Sequence, residues 1–232
     1  MKKNIPNFIT LGNLFCGCIA IAHHSLEWSC FFIFLAAVLD FFDGLVARLL
    51  NVTSPLGKQL DSLADVVSFG VAPAYLLHQT LLLETSIDFS YTLLPFLLAV
   101  GGAWRLARFN IDETQSEHFK GLPIPANGIF WIGFLLLNRQ WLAVEEAKLP
   151  IIICLVLAMT FLMVSTIPLL SFKIKKLTWK GNEARMIILI GSAIILALCG
   201  ILENIFLSIP SIILLYTITS ILYFLKKRTH EV

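Results

Sequence analysis

Long apolar runs alternate with short polar connectors along the whole chain. Apolar residues fill about 8–24, 27–50, 58–80, 89–107, 124–138, 149–170, 186–202 and 207–225. A helix that spans a bilayer needs roughly 20 such residues. The pattern predicts eight helices, of which the fifth and seventh have the shortest runs. Ser54-Pro55 marks a turn between the second and third runs. Pro125 falls at the start of the fifth, where proline is tolerated. Pro73 predicts a kink or an end to regular helix inside the third.

Composition agrees with this pattern. The chain is 58% hydrophobic and only 14% charged, against about 25% charged in soluble domains. An all-α, polytopic integral membrane protein follows, as one membrane-embedded domain over 1–232. Its core helices occupy about 4–173, with two additional C-terminal helices at about 186–225. Eight spans put both termini on one side, and every Lys and Arg except Arg139 and Lys148 then falls on that side. Positive charge marks the cytoplasmic face, so both termini are expected there, with the protein in the cytoplasmic membrane. The net charge of +2 says little about partners; no nucleic-acid partner is expected. Cys16, Cys18, Cys30, Cys154 and Cys199 all lie in apolar runs and read as small hydrophobes. No disulfide framework or secretory cleavage site is visible. The scattered histidines, His78 among them, read as solvated or interfacial.

One stretch does not fit a lipid environment. Residues 40–65 read DFFDGLVARLLNVTSPLGKQLDSLAD. Asp40 and Asp43 are three apart, and Asp61 and Asp65 four apart, so on helices each pair shares a face. Charge is costly within a membrane, and four carboxylates on facing helices repel one another. A divalent cation is the cheapest compensation. Carboxylates alone favour a hard ion, Mg²⁺ or Mn²⁺. Two such ions about 4 Å apart suit in-line displacement at phosphorus. The small residues Gly44, Ala47 and Gly57 leave room beside this face, and Arg48 could meet a phosphate. Asn7, Thr10 and Asn13 recur every three residues at the start of the first run. They form either a helix cap with incidental polar residues or a polar stripe turned toward the acidic helix. Arg105, Arg108 and Lys120 sit at cytoplasmic depth. They are either ordinary positive-inside charge or cations for a substrate.

The spacing D-x2-D-G-x2-A-R-x8-G-x3-D-x3-D, filled by Asp40, Asp43, Gly44, Ala47, Arg48, Gly57, Asp61 and Asp65, resembles the signature of the CDP-alcohol phosphatidyltransferase family. The opening IPNFITLGN resembles the start of the same enzymes, where such a stripe helps hold nucleotide and phosphates. The resemblance implies that Asp40, Asp43, Asp61 and Asp65 ligate two divalent ions, and that Asp65 is also the general base. It implies that Asn7, Thr10, Asn13, Gly44, Ala47, Arg48 and Gly57 form the CDP-lipid site. RLARFN at 105–110, FKGLPIPAN at 119–127 and MVSTIPLLSFK at 163–173 resemble the serine-using branch. Many of its members carry small residues where this chain has Ala126-Asn127-Gly128, a modest departure. The implied reaction takes a phosphatidyl group from CDP-diacylglycerol to L-serine and releases CMP. Arg105, Arg108 and Lys120 would then receive the serine or a phosphate. A homodimer among membrane lipids is implied as well. Two alternatives stay open: a sister enzyme that uses glycerol-3-phosphate or an inositol phosphate, and a cation transporter that uses the carboxylates as an ion path.

Overall fold

Each of the eight predicted runs contains a helix. The structure, a computed structural model, describes residues 4–52, 54–83, 87–112, 119–137, 148–170 and 182–230. The basic connector from Lys173 to Lys180, and also Arg139, Lys2 and Lys3, lie outside the described residues. The helices are α1 (Ile5–Ala22), α2 (Leu26–Leu49), α3 (Pro55–Leu82), α4 (Phe89–Ile111), α5 (Ile124–Leu137), α6 (Leu149–Val164), α7 (Glu183–Ile201) and α8 (Ser208–His230). Among the described residues, six helices are long and apolar enough to cross a membrane, and α5 and α6 are shorter apolar helices. The protein is an all-α, polytopic integral membrane protein.

The helices bury their small and polar faces and turn large side chains outward. On α1, Thr10, Asn13, Gly17 and Ala20 are buried, while Phe8 and Phe15 are exposed. In lipid an exposed phenylalanine loses nothing, and close packing of small residues holds helices together. Gly17 takes this furthest, since a Cβ there would lie 2.4 Å from Ser68 Oγ and 2.9 Å from Ser68 Cα. α1 packs along α2 and α3, α4 packs on α6, and α8 on α5 and α7. Trp131, Phe130, Phe69, Ile33 and Leu77 fill the centre.

Helix starts follow local chemistry. The Ser25 hydroxyl accepts from Trp28 N at the start of α2, and Ser54 accepts from Gly57 N at 2.9 Å at the start of α3, with Pro55 in its first turn. Pro73 does not end α3. The departure from α geometry precedes it, as a π-helical segment at Val66–Val71. Pro73 has no N–H to offer the carbonyl four residues back. That carbonyl, of Phe69, instead accepts from Asn127 Nδ2 at 3.3 Å, and Trp131 Nε1 donates to Asn127 Oδ1 at 3.1 Å. Asn127, the departure in the small-residue run, therefore bonds α5 to α3.

The sixth run departs from expectation. Helix was expected to 170, but α6 ends at Val164, and Ser165 turns to an extended backbone at ψ 158. Pro168 accounts for this, because it lacks an N–H and biases Ile167 away from helix. Pro168–Leu169 (β2) instead pairs antiparallel with Phe119–Lys120 (β1), a two-residue ladder in an otherwise helical fold. Gly121 follows with φ +74, and a Cβ there would lie 2.5 Å from the Met163 carbonyl oxygen. His78 also departs from the solvated reading. It is buried, with its Nδ1 2.7 Å from the Thr92 carbonyl oxygen and aromatic rings around it.

Candidate active site

Two helices, α2 and α3, bring three of the four motif carboxylates together. One carboxylate oxygen from each of Asp40, Asp61 and Asp65 lies within 4.8 Å of the others. Asp40 is within hydrogen-bond reach of both Asp61 and Asp65. Asp65 is buried, and the other two are half-buried. Three carboxylates at this spacing repel strongly unless something positive stands among them. An oxygen-only donor set of this kind fits a hard divalent cation. Asp43 stands one turn further along α2, buried and outside the trio. Its Oδ2 accepts from the Thr10 hydroxyl at 2.5 Å, with the Pro6 carbonyl at 3.0 Å as that hydroxyl's other acceptor.

The polar stripe of α1 therefore faces the acids. Asn13 is fully buried and gives its Nδ2 to Asp65 Oδ1 at 3.3 Å. Its own main-chain carbonyl accepts from Ser68 Oγ at 3.0 Å. The Gly17–Ser68 approach makes this possible by letting the two backbones touch. Asn7 lies against Gly57, where a Cβ would sit 2.9 Å from Asn7 Oδ1.

A cleft of about 910 Å³ opens beside the acids. Asn7, Thr10, Asp40, Asp43, Gly44, Ala47, Gly57 and Asp61 all line it. Gly44 has nothing within 4 Å of the place a Cβ would take, so that side of the cleft is open. Asn13 and Asp65 stand behind this wall. Arg48 is not among the lining residues; its Nε donates to the Gly44 carbonyl at 2.9 Å.

The three predicted cations also meet, but elsewhere. Arg105, Arg108 and Lys120 line a separate cavity of about 10 Å³, together with Phe109, Met163, Val164 and Ser165. That is room for about one water, not for an amino acid. Arg105 is buried, with Asp65 and Tyr216 in electrostatic range, and its Nε has no hydrogen-bond partner among the described residues. Arg108 Nη1 donates to the Val164 carbonyl at 3.2 Å, and Lys120 pairs with Asp112 at 2.9 Å. Tyr216 of α8 stands in electrostatic range of Arg105 and ties down the chain just after β2. Tyr216 donates its hydroxyl to the Leu170 carbonyl at 2.9 Å, and Leu170 N donates to Ser220 Oγ at 3.4 Å.

Sequence reasoning missed Lys58, Asn110 and Tyr216. Lys58 lines the cleft and reaches the Asn110 carbonyl at 2.9 Å, while Asn110 Nδ2 donates to Ser62 Oγ at 2.9 Å. A signal for Lys58 existed, since positions 58, 61 and 65 share one helical face. Tyr216 had only its polarity in an apolar helix to mark it.

Comparison with known proteins bears on the same residues. The family model described as CDP-alcohol phosphatidyltransferase matches residues 3–219. A Bacillus subtilis protein named CDP-diacylglycerol–serine O-phosphatidyltransferase is 41% identical over 128 residues, which are 54% of this chain and 71% of the relative. A protein of the same name from Helicobacter pylori is 34% identical over 181 residues, 75% of this chain and 74% of its own length. One from Methanocaldococcus jannaschii is 38% identical over 138 residues, 60% of this chain and 63% of its own.

Proposed function

The chain belongs to the CDP-alcohol phosphatidyltransferase family, and on that premise we propose that it transfers the phosphatidyl group of CDP-diacylglycerol to L-serine. The observation that carries this reading is the convergence of Asp40, Asp61 and Asp65 beside a cleft of about 910 Å³ lined by the motif's small residues. The names of the relatives support serine as the acceptor.

In this reading Asp40, Asp43, Asp61 and Asp65 hold two divalent ions, Mg²⁺ or Mn²⁺. When bound, these would neutralise charge developing on the diphosphate. Asp65 takes the proton of the serine hydroxyl, held in orientation by Asn13. The serine oxygen forms a bond to the phosphorus that bears diacylglycerol, and the bond from that phosphorus to the CMP oxygen breaks. Thr10 fixes the Asp43 carboxylate. Gly44, Ala47 and Gly57 leave space for the nucleotide, with Asn7 and Arg48 at its edge. Arg105, with Arg108 and Lys120, receives the serine carboxylate. A guanidinium offers that group a fork of donors. The small cavity must widen to admit it, which Arg108 and Lys120 permit by leaving their protein acceptors. The enzyme works in the cytoplasmic membrane as a homodimer, with termini and site on the cytoplasmic side.

The test is release of CMP by the purified protein from CDP-diacylglycerol, with Mg²⁺ or Mn²⁺, in the presence and absence of serine. Serine-dependent release and a phosphatidylserine product are expected. Release only with glycerol-3-phosphate or an inositol phosphate would move the protein to a sister activity, and ion flux without CMP release would make it a transporter. Cysteine labelling at positions 115, 145 and 178 on a cysteine-free background tests orientation, with only 145 expected to react from outside.

A further inference from the structure

Among the described residues that line the 910 Å³ cleft, Lys58 is the sole Lys or Arg. The rest of the polar wall is acidic or neutral, yet the substrate proposed above carries a diphosphate. Lys58 is exposed, on the same helix face as Asp61 and Asp65. Its ammonium rests on the main-chain carbonyl of Asn110 at 2.9 Å and lies 5.7 Å from the centre of the Phe109 ring. Both partners are at the C-terminal end of α4, a favourable but weak and solvent-screened place for a cation. Arg48, the motif's own cation, is bonded to the Gly44 carbonyl and does not line the cleft.

We propose that Lys58 is a substrate-contact residue that leaves the end of α4 and gives its charge to the diphosphate of the nucleotide lipid. Exchanging a carbonyl dipole for the diphosphate strengthens the contact, because the ammonium then meets a full negative charge in place of a partial one. A flexible four-carbon stem suits a group that moves between two acceptors. The inference rests on the function proposed above and concerns the donor substrate alone.

The experiment compares full-length wild type, Lys58→Ala, Lys58→Arg and Ser62→Ala in detergent. It measures KM for CDP-diacylglycerol, KM for serine, thermal stability and direct titration with CDP in the presence of Mg²⁺. Lys58→Ala should raise the CDP-diacylglycerol KM and weaken CDP binding about ten- to a hundredfold, with the serine KM within about threefold. Lys58→Arg should recover part of the loss. Ser62→Ala breaks the neighbouring α3–α4 bond through Asn110 and the Ser62 hydroxyl's bond to the Lys58 main-chain carbonyl, keeps the Lys58 ammonium, and should leave CDP binding near wild type. Unchanged CDP binding in Lys58→Ala overturns the proposal. Equal losses of stability and CDP binding in Lys58→Ala and Ser62→Ala also overturn it, in favour of a structural tie. If wild type binds CDP but releases no CMP, the proposed function fails, and the titration still decides the role of Lys58.

Discussion

The acidic cleft and the arginine corner are built in opposite ways. The cleft comes from α1, α2 and the first half of α3, elements joined by short connectors. Its side chains are fixed by direct bonds between neighbouring helices, Thr10 to Asp43 and Asn13 to Asp65. The corner draws Arg105 from α4, Lys120 from β1, Ser165 from the break after α6, and Tyr216 from α8. Its cations bond to main-chain carbonyls or a neighbouring carboxylate, and one guanidinium nitrogen of Arg105 has no described partner. The cleft is set before a ligand arrives. The corner holds cations ready but closed to a space of about 10 Å³. A site for a reaction common to many acceptors can be rigid, whereas a site that selects one acceptor gains from closing around it.

The sharpest test of this contrast is loss of an acid. Asp40→Asn, Asp61→Asn and Asp65→Asn should each lower CMP release about a thousandfold. EDTA should abolish release and Mg²⁺ or Mn²⁺ restore it. Near-normal turnover in any of these variants at low metal would break the idea of a pre-set cleft.

In the corner, Arg105→Ala should raise the serine KM about ten- to a hundredfold, with a much smaller change for CDP-diacylglycerol. Steady-state kinetics normalised to folded protein separate the two. A collapse of CDP-diacylglycerol affinity instead would merge the two regions into one site.

A smaller effect is expected where a hydroxyl positions an acid. Thr10→Val removes the donor to Asp43 and should cost about 1.5–3 kcal/mol in metal-dependent activity, seen as a rise in the Mg²⁺ needed for half-maximal rate. The smallest concerns the corner's support. Tyr216→Phe loses one neutral hydrogen bond to Leu170, worth about 1 kcal/mol, and should raise the serine KM about fivefold. An equal rise for both substrates would mean that α8 stabilises the whole bundle and not the corner in particular.

What could be read in advance follows the same division. Asp40, Asp43, Asp61 and Asp65 announce a shared site because helical spacing is local and charge in an apolar run is conspicuous. The stripe Asn7, Thr10 and Asn13 is legible for the same reason, and the structure turns Thr10 and Asn13 to Asp43 and Asp65. The break at Ser165 was easy to pass over, because Ile167, Leu169 and Leu170 continue the apolar run around Ser165, Thr166 and Pro168. The pairing of Pro168–Leu169 with Phe119–Lys120 joins segments nearly fifty residues apart, and no periodicity encodes such a distance. Pro73 was conspicuous but its effect was misplaced. Proline removes a donor and leaves a carbonyl four residues upstream to be satisfied, so the irregularity lies before it.

That irregularity has a consequence for how the chain tolerates insertion and deletion. A π turn holds more residues than an α turn, and each residue of an α-helix advances it by about 100°. Deleting one residue between Val66 and Val71 would let α3 wind as a regular helix. The π turn already absorbs its extra residue locally, so Asp61 and Asp65 would keep nearly their present facing relative to the half of α3 that carries Pro73 and Leu77. A deletion between Ala72 and Leu77, with the π turn kept, would instead turn the acids by about 100° against the buried Leu77 and Leu81, whose core face would then meet lipid. A missing residue at 66–71 should therefore be tolerated better than one in the regular turns that follow.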